Sequence, residues 1–192
     1  IQRLSADSIC RLGIARTFQT TVGFDTQTVL TNVLVGAVLG REGAGNPTMR
    51  FSDEAIEAAL DALEFCGMLA LQNQEVGELP VFDRKRLMLV TALATKPKLL
   101  LLDEPVGGLN RAERDMMVDL VRKVNEAGTT ILLIEHVMKA VLELASRLLI
   151  LHHGQKIAEG SPSEVLRDEQ VIQVYLGRQG RRQGSRNLAD AA

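Results

Sequence analysis

The 192-residue sequence predicts an α/β fold, with a mostly parallel sheet flanked by helices. Short apolar runs of strand length alternate along the chain with segments of helical periodicity. This order is typical of parallel strands that are joined by right-handed helical crossovers. The four leucines at 99–102 form a continuous apolar run, which is expected for a strand that is buried on both faces.

Composition excludes several classes of protein. The formal net charge of -2 does not provide the positive electrostatic potential that attracts nucleic acid. An aromatic content of 3% leaves few side chains on which bases could stack. Cys10 and Cys66 are too few for a disulfide framework or a zinc site. No apolar run reaches the roughly 18 residues that a transmembrane helix needs. We therefore expect no nucleic-acid partner.

Predicted strands and helices follow one another along the chain. The strands are expected at residues 13–19, 99–105, 129–135, 147–152 and 155–159. The helices are expected at residues 28–39, 54–65, 84–95, 111–127, 137–145, 163–167 and 168–176. The strand at 129–135 has the apolar character of a second buried strand, and the last two strands are close enough to form a hairpin.

A helical insert is expected at about residues 28–97. Ser52 or Asp53 is a suitable cap for the helix at 54–65, and Gly67 is a suitable end. Glycine, asparagine and proline make residues 41–50 a loop. Two consecutive helices between strands indicate a helical layer added to the α/β fold.

The helix expected at 84–95 begins with three basic residues, Arg84, Lys85 and Arg86. The positive end of a helix dipole favours anions, so a basic start is unusual. Proximity to a phosphate would explain it. A solvated basic turn explains it equally well.

Polar side chains follow three of the predicted strands. Gln19 ends the first, Asp103 and Glu104 end the leucine strand, and His136 follows the strand at 129–135. Because parallel strands deliver their carboxyl ends to one edge of a sheet, these side chains are expected to converge.

Together these four residue types suit metal-dependent hydrolysis of a nucleotide. Asp103 and Gln19 are candidate Mg²⁺ ligands, because Mg²⁺ prefers a few hard oxygen ligands together with phosphate oxygens. Glu104 is a candidate base for an attacking water, and His136 can donate a hydrogen bond to a γ-phosphate. The alternatives are a solvated acidic turn at the end of the leucine strand and a histidine that only forms a turn.

Three segments carry a family resemblance: LLLLDEP, the following GGLN, and TTILLIEH. Together they resemble the distal part of an ATP-binding cassette (ABC) ATPase, which implies a P-loop NTPase fold. The resemblance implies Asp103 as the Walker B aspartate, Glu104 as the catalytic glutamate and His136 as the switch histidine. It also implies Gln19 as the Q-loop glutamine and Asn110 as the D-loop residue that contacts the nucleotide site, where the family usually has aspartate.

Two further segments narrow the resemblance. The opening GIARTFQ and the ending VIQVYLG are similar to the ATPases of branched-chain amino acid importers, and the resemblance spans roughly residues 9–177. It implies a cassette domain over residues 1–177, followed by a polar tail over 178–192 that we expect to be disordered.

The sequence departs from the family first in the phosphate-binding loop. No G-x-x-x-x-G-K-[ST] occurs in the 192 residues. That loop is the main source of triphosphate affinity in P-loop enzymes, and in this family it precedes the Q-loop. We therefore expect the sequence to be truncated at its N-terminus and to bind little ATP by itself.

The second departure lies in the family's signature segment, which aligns with residues 79–83. Pro80 stands where a serine hydroxyl is usual, and Phe82 stands where a glycine allows close approach of a phosphate. Asp83 and Arg84 remain candidate nucleotide contacts at the start of the basic helix. With this altered segment, either a partner subunit supplies an intact signature or ATP hydrolysis is weak.

The resemblance implies a function as the ATPase subunit of an importer, with ATP and Mg²⁺ as its ligands. It implies membrane-spanning permease subunits and a second ATPase subunit, identical or different, as partners. The chain would then lie peripherally on the cytoplasmic face of the inner or plasma membrane. Two alternatives remain: a non-catalytic interaction module, and a soluble ABC ATPase without a membrane partner.

Overall fold

A computed structural model describes residues 1–19, 23–39 and 51–175. Its internal contacts divide the chain into two units, Ile1–Val141 and Leu142–Ala192. The predicted loop at 41–50 and the predicted tail at 178–192 lie outside the described residues. Within the described ranges, each helix is too short or too polar to traverse a bilayer.

The first unit is built from three parallel strands and several helices. Its strands are β1 (Ile14–Arg16), β2 (Leu99–Asp103) and β3 (Thr130–Ile134). Its helices are α1 (Ala6–Arg11), α2 (Val29–Leu39), α3 (Asp53–Phe65), α4 (Val81–Ala94) and α5 (Arg111–Glu126), with short 3₁₀ turns at Leu69–Leu71 and Val76–Glu78. Helix α6 (Met138–Leu144) follows β3. The sequence analysis did not predict α1.

The parallel sheet has the strand order β1-β2-β3. Ile14 is in register with Leu99, and Leu99 is in register with Thr130. Leu100 and Leu102 are buried, which explains why the central strand β2 is almost uniformly leucine. Because all three strands run the same way, their carboxyl ends share one edge of the sheet, and the predicted parallel α/β fold is confirmed.

The prediction that the strand at 129–135 is buried was wrong. Leu132 and Ile134 of β3 are 50% and 54% exposed, and none of the five residues of the strand is buried. Among the described residues β3 lies at one edge of the parallel sheet, and β1 lies at the other. Leu132 and Ile134 share one face of the strand, which the described residues leave exposed, whereas Ile131 and Leu133 on the other face are partly covered.

Helices α2, α3 and α4 pack on one another in a helical layer. Val33, Leu63 and Val90 are completely buried, one from each helix. A Cβ atom at Gly36 would lie only 2.5 Å from the carbonyl oxygen of Thr91, so glycine is required for α2 to approach α4 this closely.

The ends of α3 follow the sequence signals. Ser52 caps the helix, and its hydroxyl accepts a hydrogen bond from the Ala55 N–H at 3.3 Å. Asp53 and Glu54 lie in the first turn, where the helix dipole favours acids. Gly67, with φ of +66°, follows the C-cap residue Cys66.

The predicted start of α4 was wrong by one turn. The helix begins at Val81 with Pro80 as its N-cap residue, so Asp83 occupies the first turn. The basic residues Arg84 to Arg86 come after that turn. The helix therefore has the acidic start that its dipole favours, and the fixed φ of Pro80 is compatible with the cap position.

The second unit contains an antiparallel hairpin followed by two short helices. Strands β4 (Leu148–His152) and β5 (Gln155–Gly160) pair with each other, as the sequence predicts. His153 and Gly154 form the turn with φ values of +47° and +77°. Helices α7 (Pro162–Val165) and α8 (Glu169–Tyr175) follow.

Candidate active site

Three of the predicted site residues meet at the carboxyl ends of β1, β2 and β3. The Nε2 atom of Gln19 donates a hydrogen bond to Oε2 of Glu104 at 2.8 Å. The other carboxylate oxygen of Glu104, Oε1, lies 3.6 Å from Nδ1 of His136. The Glu104 and His136 side chains are 30% and 65% exposed. Glu104 is thus the centre of the group, with one partner on each oxygen and access to water.

The backbone of Glu104 is held in an unusual conformation. Its φ is +47°, a left-handed value that costs a residue with a side chain about 1 kcal/mol or more. The Glu104 N–H donates to the carbonyl oxygen of Ile134 at 2.9 Å. The Glu104 carbonyl oxygen accepts from Nζ of Lys85 at 3.0 Å. These two bonds fix the peptide groups on either side of the strained residue and so aim its carboxylate.

Asp103 has a partner that the sequence analysis missed. Nη2 of Arg16 lies 3.0 Å from Oδ2 of Asp103, in a pair whose side chains are 55% and 23% exposed. The Asp103 N–H also donates to Oγ1 of Thr17 at 3.4 Å. Both partners come from β1 or its exit, because β1 runs beside β2 in parallel register. The alternation of small and polar residues in GIARTFQ does not reveal which of them faces Asp103.

The predicted Mg²⁺ ligands fit only a cation that takes few protein groups. Within the described ranges, no three His, Cys, Asp or Glu side chains are grouped so as to hold a metal ion. Mg²⁺ is usually bound by one or two protein oxygens together with water and phosphate oxygens. Asp103 and the side-chain carbonyl of Gln19 suit that kind of site.

The other predicted nucleotide contacts, Asp83 and Arg84, are engaged elsewhere. Asp83 pairs with Arg86 of its own helix at 2.8 Å. Arg84 donates to the carbonyl oxygens of Gly77, at 2.8 Å, and Leu79, at 3.1 Å. These bonds anchor the segment that leads into α4, and the structure does not bring either residue into contact with Glu104.

Asn110 has a structural role at the start of α5. Its Oδ1 accepts from the Glu113 N–H at 3.0 Å, and Oε2 of Glu113 accepts from the Asn110 N–H at 2.9 Å. This reciprocal pair is a capping box. A nucleotide contact of Asn110 stays a prediction, and the helix cap explains the residue type without it.

Two charged residues near the site were not predicted as site residues: the sequence analysis named Lys85 only as part of a basic helix start, and it did not single out Glu135. Burial lowers the pKa of Lys85, and the carboxylates of Glu135 and Glu104 oppose that shift. The Glu135 side chain is 0% exposed. The signal for Glu135 was an acid at the very end of the apolar run TTILLI, where a strand passes into a loop.

Two protein-family models match this chain. The model of the ABC transporter family matches residues 2–107. A second model, described as branched-chain amino acid ATP-binding cassette transporter, matches residues 155–180. The first match covers β1, the helical layer and β2 with Asp103 and Glu104.

Individual relatives extend the match over almost the whole chain. The high-affinity branched-chain amino acid transport ATP-binding protein LivG of Salmonella typhimurium is 35% identical over 187 residues, which cover 92% of this chain and 72% of LivG. BraF of Pseudomonas aeruginosa, with the same description, is 35% identical over 185 residues, with the same two shares.

This chain belongs to the ABC transporter ATPase family. Solved structures agree: a nucleotide-free ATP-binding cassette from an ABC transporter superposes with a TM-score of 0.77 at 30% identity, covering 90% of this chain and 72% of that one. The ADP conformation of an ATP-binding cassette of an ABC transporter also superposes with a TM-score of 0.77 at 31% identity, covering 90% of this chain and 71% of that one. The resemblance inferred from LLLLDEP, GGLN and TTILLIEH is confirmed, and the ABC cassette is a nucleotide-binding ATPase subunit.

Proposed function

We propose that this ABC ATPase energises an importer of branched-chain amino acids or similar small polar solutes. The LivG and BraF relatives and the match of residues 155–180 support this substrate class. ATP binding would bring two ATPase subunits together, and hydrolysis would release them. Solute choice would belong to other subunits of the transporter.

The observation that carries the proposal is the setting of the Glu104 carboxylate. It lies at the carboxyl edge of the sheet, with Gln19 on one oxygen and His136 near the other. A partly exposed carboxylate at this position can accept a proton from a water that attacks the γ-phosphate. The 2.8 Å bond from Gln19 orients the carboxylate plane, and the exposed imidazole of His136 can donate a hydrogen bond to a phosphate oxygen.

Asp103 and Gln19 would hold Mg²⁺, which neutralises charge on the phosphates when it is bound. Arg16 now pairs with Asp103, so its guanidinium must move away when a cation takes that carboxylate. Because Arg16 is more than half exposed, this movement exchanges a weak ion pair for hydration.

The phosphate-binding loop would come from residues other than the 192 of this sequence. The exposure of Leu132 and Ile134 supports this, because an apolar strand of a parallel sheet is normally covered on both faces. Calorimetric titration of the 192-residue chain with MgATP is expected to give no micromolar binding. Micromolar affinity would contradict this part of the proposal.

The segment at 79–83 bears on which ATPase subunit this chain pairs with. Pro80 has neither a hydroxyl nor an N–H to offer, and Val81 is 58% exposed at the first turn of α4. We propose that a partner ATPase subunit with an intact signature segment completes the composite site that contains Glu104. A heterodimer with one efficient site is the assembly that fits these residues best.

Membrane-spanning permease subunits are the proposed partners of the helical layer. Residues 28–67 follow Gln19 in the chain and precede α4. A permease contact on this segment would therefore be coupled to Gln19, whose side chain is hydrogen-bonded to Glu104. This assignment gives the subunit a peripheral position on the cytoplasmic face of the inner or plasma membrane. It includes no nucleic-acid partner.

Solute-dependent ATP hydrolysis tests the proposal. The complete transporter, expressed from the full reading frames with its permease and solute-binding subunits, is reconstituted in vesicles. Leucine, isoleucine or valine is expected to stimulate ATP hydrolysis and to be taken up, with urea and short amides as comparison solutes. Assembly without hydrolysis would favour the non-catalytic interaction module, and absence of any permease association would favour a soluble ABC ATPase.

A further inference from the structure

Glu135 is a buried acid to which the hydrolytic chemistry assigns no role. Its side chain is 0% exposed, although the next residue, His136, is 65% exposed. A carboxylate in such a place is strongly destabilising unless hydrogen bonds and a nearby cation compensate for lost hydration. Its presence directly after β3 therefore requires a set of compensating partners.

Three backbone N–H groups supply that compensation. Oε1 of Glu135 accepts from the N–H of Val106 at 3.0 Å. Oε2 accepts from the N–H groups of His136, at 3.0 Å, and Val137, at 3.2 Å. One carboxylate thus ties the loop that follows β2 to the loop that follows β3.

The two tied loops carry the two reactive side chains of the site. Val106 comes two residues after Glu104, and His136 is itself one of the donors. Glu104 Oε1 and His136 Nδ1 lie 3.6 Å apart, at the distance where a small loop shift changes whether they interact. The Glu135 carboxylate also lies near the imidazole itself, since its Oε2 is 3.9 Å from Nδ1 of His136, while its three hydrogen bonds are made with the backbone of the two loops.

Lys85 reinforces the same arrangement from α4. Its Nζ donates to the carbonyl oxygen of Glu104 at 3.0 Å. The charge of Glu135 acts on Lys85, where it opposes the effect of burial on the lysine pKa. The cation therefore partly balances the buried negative charge of Glu135.

We propose that Glu135 is a positioning residue for hydrolysis, which sets the separation of Glu104 and His136 by tying their loops together. This inference rests on the proposed ATPase function but concerns a residue outside the predicted catalytic set. Replacement by glutamine keeps the shape but turns an NH₂ group toward at least one backbone N–H. Two donors then face each other, so the loops separate.

Amide hydrogen exchange tests the tie without any nucleotide. In the 192-residue chain, Glu135→Gln is expected to speed exchange at Val106, His136 and Val137 by about tenfold or more, while Leu100 in β2 changes little. Glu126→Gln, which removes an exposed carboxylate from the end of α5, is the matched control and leaves all four amides unchanged. Unchanged exchange at the three amides in Glu135→Gln would overturn the proposal.

Steady-state kinetics of the complete transporter test the consequence for hydrolysis. Glu135→Gln is expected to lower kcat about tenfold, with KM for ATP within about twofold of the native value, because Glu135 contacts loops and not the nucleotide. Combined with His136→Ala, it should add little further loss, since both changes disable the same contact. Additive losses, or a rise in KM alone, would contradict a positioning role.

Glu135→Asp covers the case in which the glutamine variant does not fold. Aspartate keeps the charge but shortens the reach, so exchange at Val106 and kcat should fall between the native and fully disrupted values. Native values of both would overturn the proposal. If the native transporter itself hydrolyses no ATP, the proposed function fails, while the exchange measurements still decide whether Glu135 ties the two loops.

Discussion

Replacement of Asn110 separates a helix-capping role from the nucleotide contact that the family resemblance implies. Asn110→Ala removes the Oδ1 atom that accepts from the Glu113 N–H at 3.0 Å. The reciprocal bond to the Asn110 N–H remains available, because the backbone is unchanged. One capping interaction is lost, which at this exposed position is worth about 1 kcal/mol of unfolding free energy.

Urea denaturation gives the unfolding free energy and thermal denaturation gives Tm, and circular dichroism follows both. A loss of about 1 kcal/mol corresponds to a Tm decrease of roughly 2–4 °C in a chain of this size. Asn110→Asp should retain the native stability or exceed it by up to about 1 kcal/mol, because aspartate also caps and interacts favourably with the helix dipole. Asn73→Ala, at an exposed position, is the matched control and should change stability by less than about 0.5 kcal/mol.

The reasoning is refuted if Asn110→Ala and Asn73→Ala have the same stability. An unchanged unfolding free energy together with a raised KM for ATP would instead assign Asn110 to the nucleotide. Loss of stability with an unchanged KM is the expected result.

Three other changes have defined outcomes. Burial raises the pKa of the Cys66 thiol from 9.0 to about 12, so above about pH 9 the folded state keeps a proton that the unfolded state loses. The unfolding free energy should therefore fall as pH rises above about 9. Cys66→Ser should weaken this pH dependence in urea titrations at pH 8–10. Arg16→Gln removes the exposed partner of Asp103; unfolding free energy should fall by less than about 1 kcal/mol, and less Mg²⁺ should half-saturate hydrolysis by the complete transporter. Pro80→Ser combined with Phe82→Gly should raise the turnover of the complete transporter, and no gain would show that the altered signature segment does not limit activity.

The sequence predicted the central sheet because its signals are local. The leucine run of β2 and the short apolar run of β3 each identify a strand without reference to distant residues. Once the strands are parallel, the meeting of Gln19, Glu104 and His136 follows from topology alone. The hairpin in the second unit and the Ser52 cap were predictable for the same reason.

Features that depend on distant contacts were not predictable. Arg16 reaches Asp103 across 87 positions of sequence, and Lys85 reaches Glu104 across 19. Exposure of Leu132 and Ile134 depends on which elements cover that face of β3, and the apolar composition of the strand does not specify this. The start of α4 was predicted too late, because the helix was taken to begin at the basic residues 84–86. Pro80 and Asp83 carry the signals of the earlier start.

Hydrolysis by a Glu104→Gln variant of the complete transporter tests the central claim most directly. If Glu104 accepts the proton of the attacking water, kcat falls by about 100-fold or more, and ATP affinity stays within about threefold of the native value. Glu126→Gln, the exposed control, should hydrolyse at the native rate. A Glu104→Gln transporter whose kcat remains within about threefold of native would contradict the assignment of this carboxylate and the account built on it.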